Sequence, residues 1–197
     1  MKYLKTITIL SLLLIAGTIS SFAQDTGDDI KTMLVERDQE IKDLLGPEDS
    51  EYTDEQRENL KEIINGIIDF EEMAKQALDD TYDTISEENR LEFVELFSTI
   101  IRDQSLNKLD IYRANVTYNT VDVDGEKANV ETMAELDDIR TPVSYAMIKK
   151  NSEWVISDMV IDDVSTAGSY NRQFQRIIAR RGFDSLMESL RKRAARS

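Results

Sequence analysis

The chain contains neither cysteine nor histidine. Without cysteine there is no disulfide to staple the fold, no thiolate nucleophile and no cysteine-ligated zinc site. Without histidine the usual general base near neutral pH is missing, and so is the common zinc and haem ligand; a Ser-His-Asp triad is excluded outright. The seven glycines are scattered, so no glycine-rich phosphate loop exists. There are two prolines and a single tryptophan, Trp154. Lysine and arginine number 24 against 39 aspartates and glutamates, a net charge of −15. A body this acidic is repelled by phosphate backbones, and nucleic acid is not expected as a partner. Long apolar runs are scarce too. The longest lies near the start, from Ile7 to Ile15, broken by Thr8 and Ser11, and is too short to cross a bilayer.

That run has the form of a secretory leader. Lys2 and Lys5 precede it, and Ser21-Phe22-Ala23 supplies the small-x-small pattern of a cleavage site. We expect a signal peptide over residues 1–23, cut after Ala23, and one domain over residues 24–197, a length that buries a sizeable single core. No cysteine follows the small residues, so a lipoprotein anchor is not available, and a soluble secreted product is expected. The acidity is uneven. Arg172, Arg176, Arg180, Arg181, Arg191, Lys192, Arg193 and Arg196 crowd the last stretch, opposed there only by Asp184 and Glu188. Such a basic end either complements a helix dipole or docks on something acidic.

Hydrophobic period divides the rest. Gln24 to Asp29 reads as a polar lead-in. Ile30, Met33, Leu34, Ile41, Leu44 and Leu45 share one helical face, stopped by Gly46-Pro47. Thr53 and Gln56 form a capping box for a helix with Leu60, Ile63, Ile64, Ile67 and Ile68 inside. Asp69 caps a short helix carrying Met73, Ala74, Ala77 and Leu78. Ser86 opens the longest predicted helix, 87–111. After Ala114 the period drops from 3.6 to 2. Val116, Tyr118 and Thr120 alternate, Asp124-Gly125 signals a hairpin, and Val130, Thr132, Ala134 and Leu136 alternate again. A second turn spans Asp137 to Thr141, and Pro142 is placed at a strand start. Val143, Tyr145 and Met147 alternate on the third strand. On the fourth, Trp154, Ile156, Asp158 and Val160 oppose Val155, Ser157, Met159 and Ile161. Helix returns after Val164-Ser165, with Tyr170, Phe174, Ile177 and Ile178 on one side; Gly182 ends it, and Phe183, Leu186, Met187 and Leu190 form a last helix. The expected fold is α+β: N-terminal helices, a four-stranded antiparallel meander, and C-terminal helices packed on one face of the sheet.

Acidic residues remain as chemical candidates. Asp122-x-Asp124-Gly125 lacks the rest of a calcium loop and reads as a turn. Asp137-Asp138 and Asp162-Asp163 read as turn residues or caps. Asp158 differs, because alternation sets it on a strand face beside Trp154 and Ile156. It is either a buried, hydrogen-bonded structural carboxylate or a base working with a nearby tyrosine. The apolar candidates are Phe97, Ile101, Val116, Tyr118, Val130, Met147, Val155, Met159, Tyr170, Phe174 and Ile178, which would converge between sheet and helices. They form either a filled core or the wall of a pocket. Three readings stay open on residues alone: a carrier with an apolar pocket, an adaptor with a filled core, and a small enzyme of cone-shaped fold using Asp158.

The run Trp154-Val-Ile156-Ser-Asp158-Met159-Val-Ile161-Asp-Asp-Val164-Ser165, followed by Tyr170 and Gln173-Phe174, resembles the MlaC family of periplasmic phospholipid-transport proteins. A second block agrees: Asp69-Phe70 leads into Met73-Ala74 and Ala77-Leu78, then Ser86-Glu87-Glu88-Asn89-Arg90 into Phe93 and Phe97. Asp163 and Asp79 stand where the family usually has glycine. The resemblance implies a non-enzymatic periplasmic carrier, a monomer without metal or cofactor, whose cargo is a phospholipid. It implies partners at both ends of the journey, an outer-membrane lipid-transfer complex and an inner-membrane ABC transporter complex. It also implies that the apolar set above, with Val164, lines the lipid pocket. The physics suits such a chain. Exposing acyl chains costs about 0.8 kcal/mol per methylene, so two chains cost on the order of 20 kcal/mol, and covering them needs apolar surface rather than reactive groups.

Overall fold

The computed structural model describes residues 27–46, 52–106 and 109–196. The expected leader and its cleavage site, Gln24 to Thr26, and Pro47 of the first helix stop lie outside the described residues.

Helix α1 (Gly27–Leu45) already includes Gly27 to Asp29, which composition alone assigned to the lead-in. The two aspartates fall in its first turn, where the positive end of the helix dipole favours them. It buries Ile30, Leu34 and Leu45, and Arg113 closes its far end by donating to the carbonyls of Gly46 at 2.7 Å and Leu45 at 3.4 Å. Helix α2 (Asp54–Ile67) starts at the expected box: Gln56 N–H donates to Thr53 Oγ1 at 3.1 Å, and Thr53 N–H to Gln56 Oε1 at 2.9 Å. Helix α3 (Phe70–Leu78) is capped by Asp69, which accepts from Glu72 N–H at 3.1 Å. A short α4 (Asp80–Thr84) follows, then α5 (Glu87–Leu106), capped by Ser86 accepting from Asn89 N–H. The predicted helix to 111 is thus shorter, and Leu109–Arg113 winds as a tight 3-10 turn. That turn delivers Arg113 to the end of α1.

Five strands follow, in the order β1-β2-β3-β4-β5, all antiparallel: β1 (Asn115–Asp124), β2 (Lys127–Leu136), β3 (Ile139–Lys150), β4 (Glu153–Ile161) and β5 (Val164–Ser165). The expected four-stranded meander is correct for β1 to β4. The fifth strand is two residues long, too short for alternation to reveal. It pairs Val160 with Ser165 and Ile161 with Val164. The chain then continues as α6 (Thr166–Arg181) and α7 (Phe183–Ala194), separated by Gly182 at φ 82°.

Two-residue turns join these strands. Asp137-Asp138, Asn151-Ser152 and Asp162-Asp163 each have both φ values positive, the geometry that matches strand twist. The second turn is therefore tighter than Asp137 to Thr141. Pro142 is the fourth residue of β3 rather than its start. It is tolerated because its carbonyl, which accepts from Asp162 N–H at 3.0 Å, faces the end of β4. Its missing N–H faces the same way, just beyond the β3–β4 ladder, whose register begins at Val143 and Ile161.

The helices cover one sheet face. Ile30 and Leu34 of α1, Phe93, Phe97, Ile100 and Ile101 of α5, and Ala128, Val130, Met147 and Ile156 of the sheet form one buried cluster with α3, α6 and α7. Segment 68–69 fastens to the outer side of β4, with Asp69 N–H donating to Ile156 carbonyl at 2.9 Å. Lys150 Nζ, 2.8 Å from the buried Asp69 carboxylate, ties β3 to the start of α3.

Candidate functional site

Strand register sets the covered face out in four rows that run across the sheet. The first is Val123, Ala128, Met147 and Ile156. The second is Val121, Val130, Tyr145 and Met159. The third is Tyr118, Thr132, Val143 and Ile161. The fourth is Val116, Ala134 and Thr141. Burial is uneven along this face: Ala128, Met147, Ile156 and Val130 of the first two rows are buried, as is Thr132 of the third, while the other residues of the rows are half-buried or exposed. Met147 is 1% exposed and Ile156 4%, whereas Ile161 is 44% exposed. Beyond it Val164 and Ile139 stand open to solvent. The face is thus packed at the Met147 end and more open at the Ile161 end.

Three tyrosine hydroxyls in this part of the molecule are desolvated. Tyr145 retains partial access to solvent, yet burial, reinforced by the Asp38 charge and Tyr112 and opposed by a hydrogen bond with Thr132, pushes its hydroxyl up to about 12. Tyr118 is raised further, first by burial and then by Tyr145 and Asp38. Burial also raises Tyr112, a residue of the 3-10 turn, against a hydrogen bond with Ser105. Burial among low-dielectric neighbours disfavours the charged phenolate and raises each of these hydroxyls. Tyr112 belongs to the 3-10 turn, Tyr118 to β1 and Tyr145 to β3, and the last two also feel the Asp38 charge on α1.

A β-bulge decides which residues of β4 share the covered face. Ala146 pairs with Asp158 while Met147 pairs with Ile156, leaving Ser157 as the extra residue. Ile156 and Met159 therefore share the covered face, which strict alternation forbids. Val155, opposite Ile148, is on the other face.

The expected lining residues separate accordingly. Val130 and Met147 lie on the covered face near the packed end, fully buried. Tyr118, Met159 and Val116 are half-buried on the same face. Ile101 is buried on α5, and Ile178 packs against the core from α6. Val164 is 51% exposed at the open end. Phe97, Tyr170 and Phe174 join Phe93 in a tight aromatic knot between α5 and α6, with ring centroids 5.1 to 5.9 Å apart. That knot is filled core. Sequence reasoning did not single out Tyr145, Val143, Val121 or Tyr112. Alternation carries the signal for Tyr145 and Val143; Val121 joins Tyr118 on this face only through a bulge between Tyr118 and Thr120, and no signal exists for Tyr112, which lies where the period changes.

Asp158 is occupied. Its Oδ1 accepts the N–H groups of Met159 and Ala167, each at 2.9 Å, and its Oδ2 accepts the Ser165 hydroxyl at 2.5 Å. Ser165 Oγ in turn accepts Gly168 N–H at 2.8 Å, capping α6. A side chain at position 168 would meet Ser165 Oγ at 2.9 Å, so glycine is required for this close approach. The arrangement holds the start of α6 against β4. Trp154 sits on the first-row side beside Lys149, whose ammonium lies 5.9 Å from its ring.

Among the described residues no helix is long and apolar enough to cross a membrane. Residues 36–192 match the MlaC protein family. No curated protein matches the sequence. A solved structure shares the fold: a phospholipid-binding protein from Ralstonia solanacearum, determined in complex with a phospholipid. It is 17% identical, with a TM-score of 0.71 over 88% of this chain and 98% of that one.

Proposed function

The chain belongs to the MlaC family, and from that premise we propose that it is a non-enzymatic carrier of phospholipid. The acyl chains lie along the covered sheet face, against Val116, Tyr118, Val121, Val143, Tyr145 and Met159. The head group stays at the open end near Ile139, Ile161 and Val164. The observation that carries this reading is the contrast along the covered apolar face between its buried end, with Met147 1% exposed, and its open end, with Ile161 44% exposed. It gives apolar area in one direction and an exit to water in the other. The Ralstonia solanacearum protein of the same fold, bound to a phospholipid, supports the cargo class.

The leader expected over residues 1–23 would send the carrier to the periplasm. There it passes lipid between an outer-membrane lipid-transfer complex and an inner-membrane ABC transporter complex, working as a monomer. A carrier has to shield acyl chains worth on the order of 20 kcal/mol of exposure, and it needs no bond-making group. The test is mass spectrometry of organic extracts of the purified protein. Phospholipid at near one per chain is expected. A delipidated protein that takes up no phospholipid from vesicles would overturn the reading and favour the adaptor with a filled core.

A further inference from the structure

Helix α6 departs from the rest of this acidic chain. Its 16 residues include Arg172, Arg176, Arg180 and Arg181 and no acid, although 39 of the 197 residues are aspartate or glutamate. One face of α6 enters the core through Ala167, Tyr170 and Phe174. Asn171 and Gln175 fasten it to α3, donating to the carbonyls of Ala77 at 3.4 Å and Leu78 at 2.6 Å. Arg172, Arg176 and Arg180 recur every four residues on the opposite face, and all three are exposed.

Partners set this stripe apart as well. Each arginine before α6 is paired with a carboxylate, an amide or a carbonyl, as Arg102 is with Asn65 Oδ1 at 2.7 Å. On α7, Arg191 is held by Glu92 and Lys192 by Glu188. Among the described residues the side chains of Arg176, Arg180 and Arg181 have no hydrogen-bond or ion-pair partner. Arg172 donates to the Ser169 hydroxyl at 3.0 Å, which leaves its charge uncompensated. The helix dipole accounts for Arg180 and Arg181 in the last turn. It does not account for Arg172 and Arg176, which precede that turn. Like charges four residues apart repel, so the stripe weakens the helix that carries it.

We propose that the arginine stripe of α6 is a docking face for an acidic helix of a partner protein. Guanidinium forks pair with carboxylates through two hydrogen bonds. Steps of four residues set the arginines about 6 Å apart along a rigid element. Glutamates at i, i+4 and i+8 of another helix stand at that same interval. A bilayer fits this face less well. A plane of anionic lipid would also confront the acidic body and repel it. The exposed large apolar side chains all lie outside α6, so the stripe has nothing to insert beside its charges. The face is separate from the sheet, and it stands or falls independently of the cargo.

The test measures binding of labelled alanine-based helical peptides to the purified protein by fluorescence anisotropy at low salt. One peptide carries glutamates at i, i+4 and i+8. A second has the same composition, with its glutamates spread around the helix. The first should bind at least about five-fold more tightly than the second. Arg176→Gln/Arg180→Gln should weaken the first peptide about ten-fold and remove the preference. The urea midpoint of this variant should not fall, since repulsion is relieved and no described contact is lost. The preference is read on the unaltered protein, so it decides the matter even if the variant folds poorly. Flotation with phosphatidylglycerol vesicles tests the bilayer, and no association that depends on Arg176 and Arg180 is expected. Equal binding of the two peptides, unchanged binding in the double variant, or vesicle association that the double variant loses overturns the proposal.

Discussion

The Asp158 carboxylate and the Ala167 amide meet at 2.9 Å across the junction between β4 and α6. With Met159 N–H and the Ser165 hydroxyl, they make one buried carboxylate the organiser of a strand end, a two-residue strand and a helix start. Asp158→Ala strands three donors and should cost roughly 3 kcal/mol in urea unfolding, because orphaned buried groups cost about 1–3 kcal/mol. Asp158→Asn keeps the oxygen that accepts two N–H groups and should cost about 1 kcal/mol. Equal losses for the two variants would show that the carboxylate does not hold the junction.

The bulge at Ser157 makes a paired test of the carrier reading. Met159→Glu places a carboxylate on the covered face, where an unpaired charge is strongly disfavoured, and should lower bound phospholipid at least ten-fold by quantitative extraction. Val155→Glu, on the opposite face, should leave loading near the wild-type level. Strict alternation of β4 assigns both residues to one face and expects both to fail. Equal loss in two folded variants would therefore remove the bulge from the account.

The raised tyrosines make stability fall in alkali. Unfolded tyrosine ionises near 10.0, and folded Tyr145 near about 12. Between these values the unfolded state has released a proton that the native state keeps. Stability is thus whole below pH 10 and declines as pH rises toward 12, by about 1.4 kcal/mol per pH unit for each such group. Urea midpoints should drop between pH 9.5 and 11.5, and Tyr145→Phe should flatten the drop. In difference spectra of tyrosinate, the Tyr118 and Tyr145 bands should rise last.

Asp79 holds φ 51° and ψ −138° between α3 and α4, a backbone region that favours glycine. Asp79→Gly should raise stability by roughly 1 kcal/mol, read as a higher urea midpoint at unchanged slope. Ser152→Gly, at φ 70° in the β3–β4 turn, should add about 0.5 kcal/mol. A decrease at position 79 would show that the Asp79 side chain contributes more than its backbone strain costs.

Much of this architecture is legible in the chain. The change of period after Ala114 marks where helices give way to the sheet, because side chains repeat at 3.6 on one and 2 on the other. Thr53, Asp69 and Ser86 announce their helices, since short polar side chains satisfy first-turn N–H groups. Depth is not legible. Phe97, Tyr170 and Phe174 have the spacing of a helix face whether that face meets a cargo or other rings, and here it meets rings. Val155 went to the wrong face because a bulge adds one residue without changing residue types. Tyr145 alternates correctly, but its enclosure by Asp38 and Tyr112 depends on contacts far away in sequence. The pairing of Val164-Ser165 with β4 is fixed by the turn, not by its own two residues.

The four rows also set a length. From Tyr145 to Thr141 along β3 the half-buried part of the covered face advances by two two-residue steps, about 13 Å at the rise of a strand. One leaflet of a bilayer has a hydrocarbon depth of about 15 Å, half of the ~30 Å core. The sheet is thus a ruler cut to a single leaflet. Under the proposed carrier reading, a cargo drawn from one monolayer would lie along it tail-first, whereas a molecule spanning both leaflets would overhang into water.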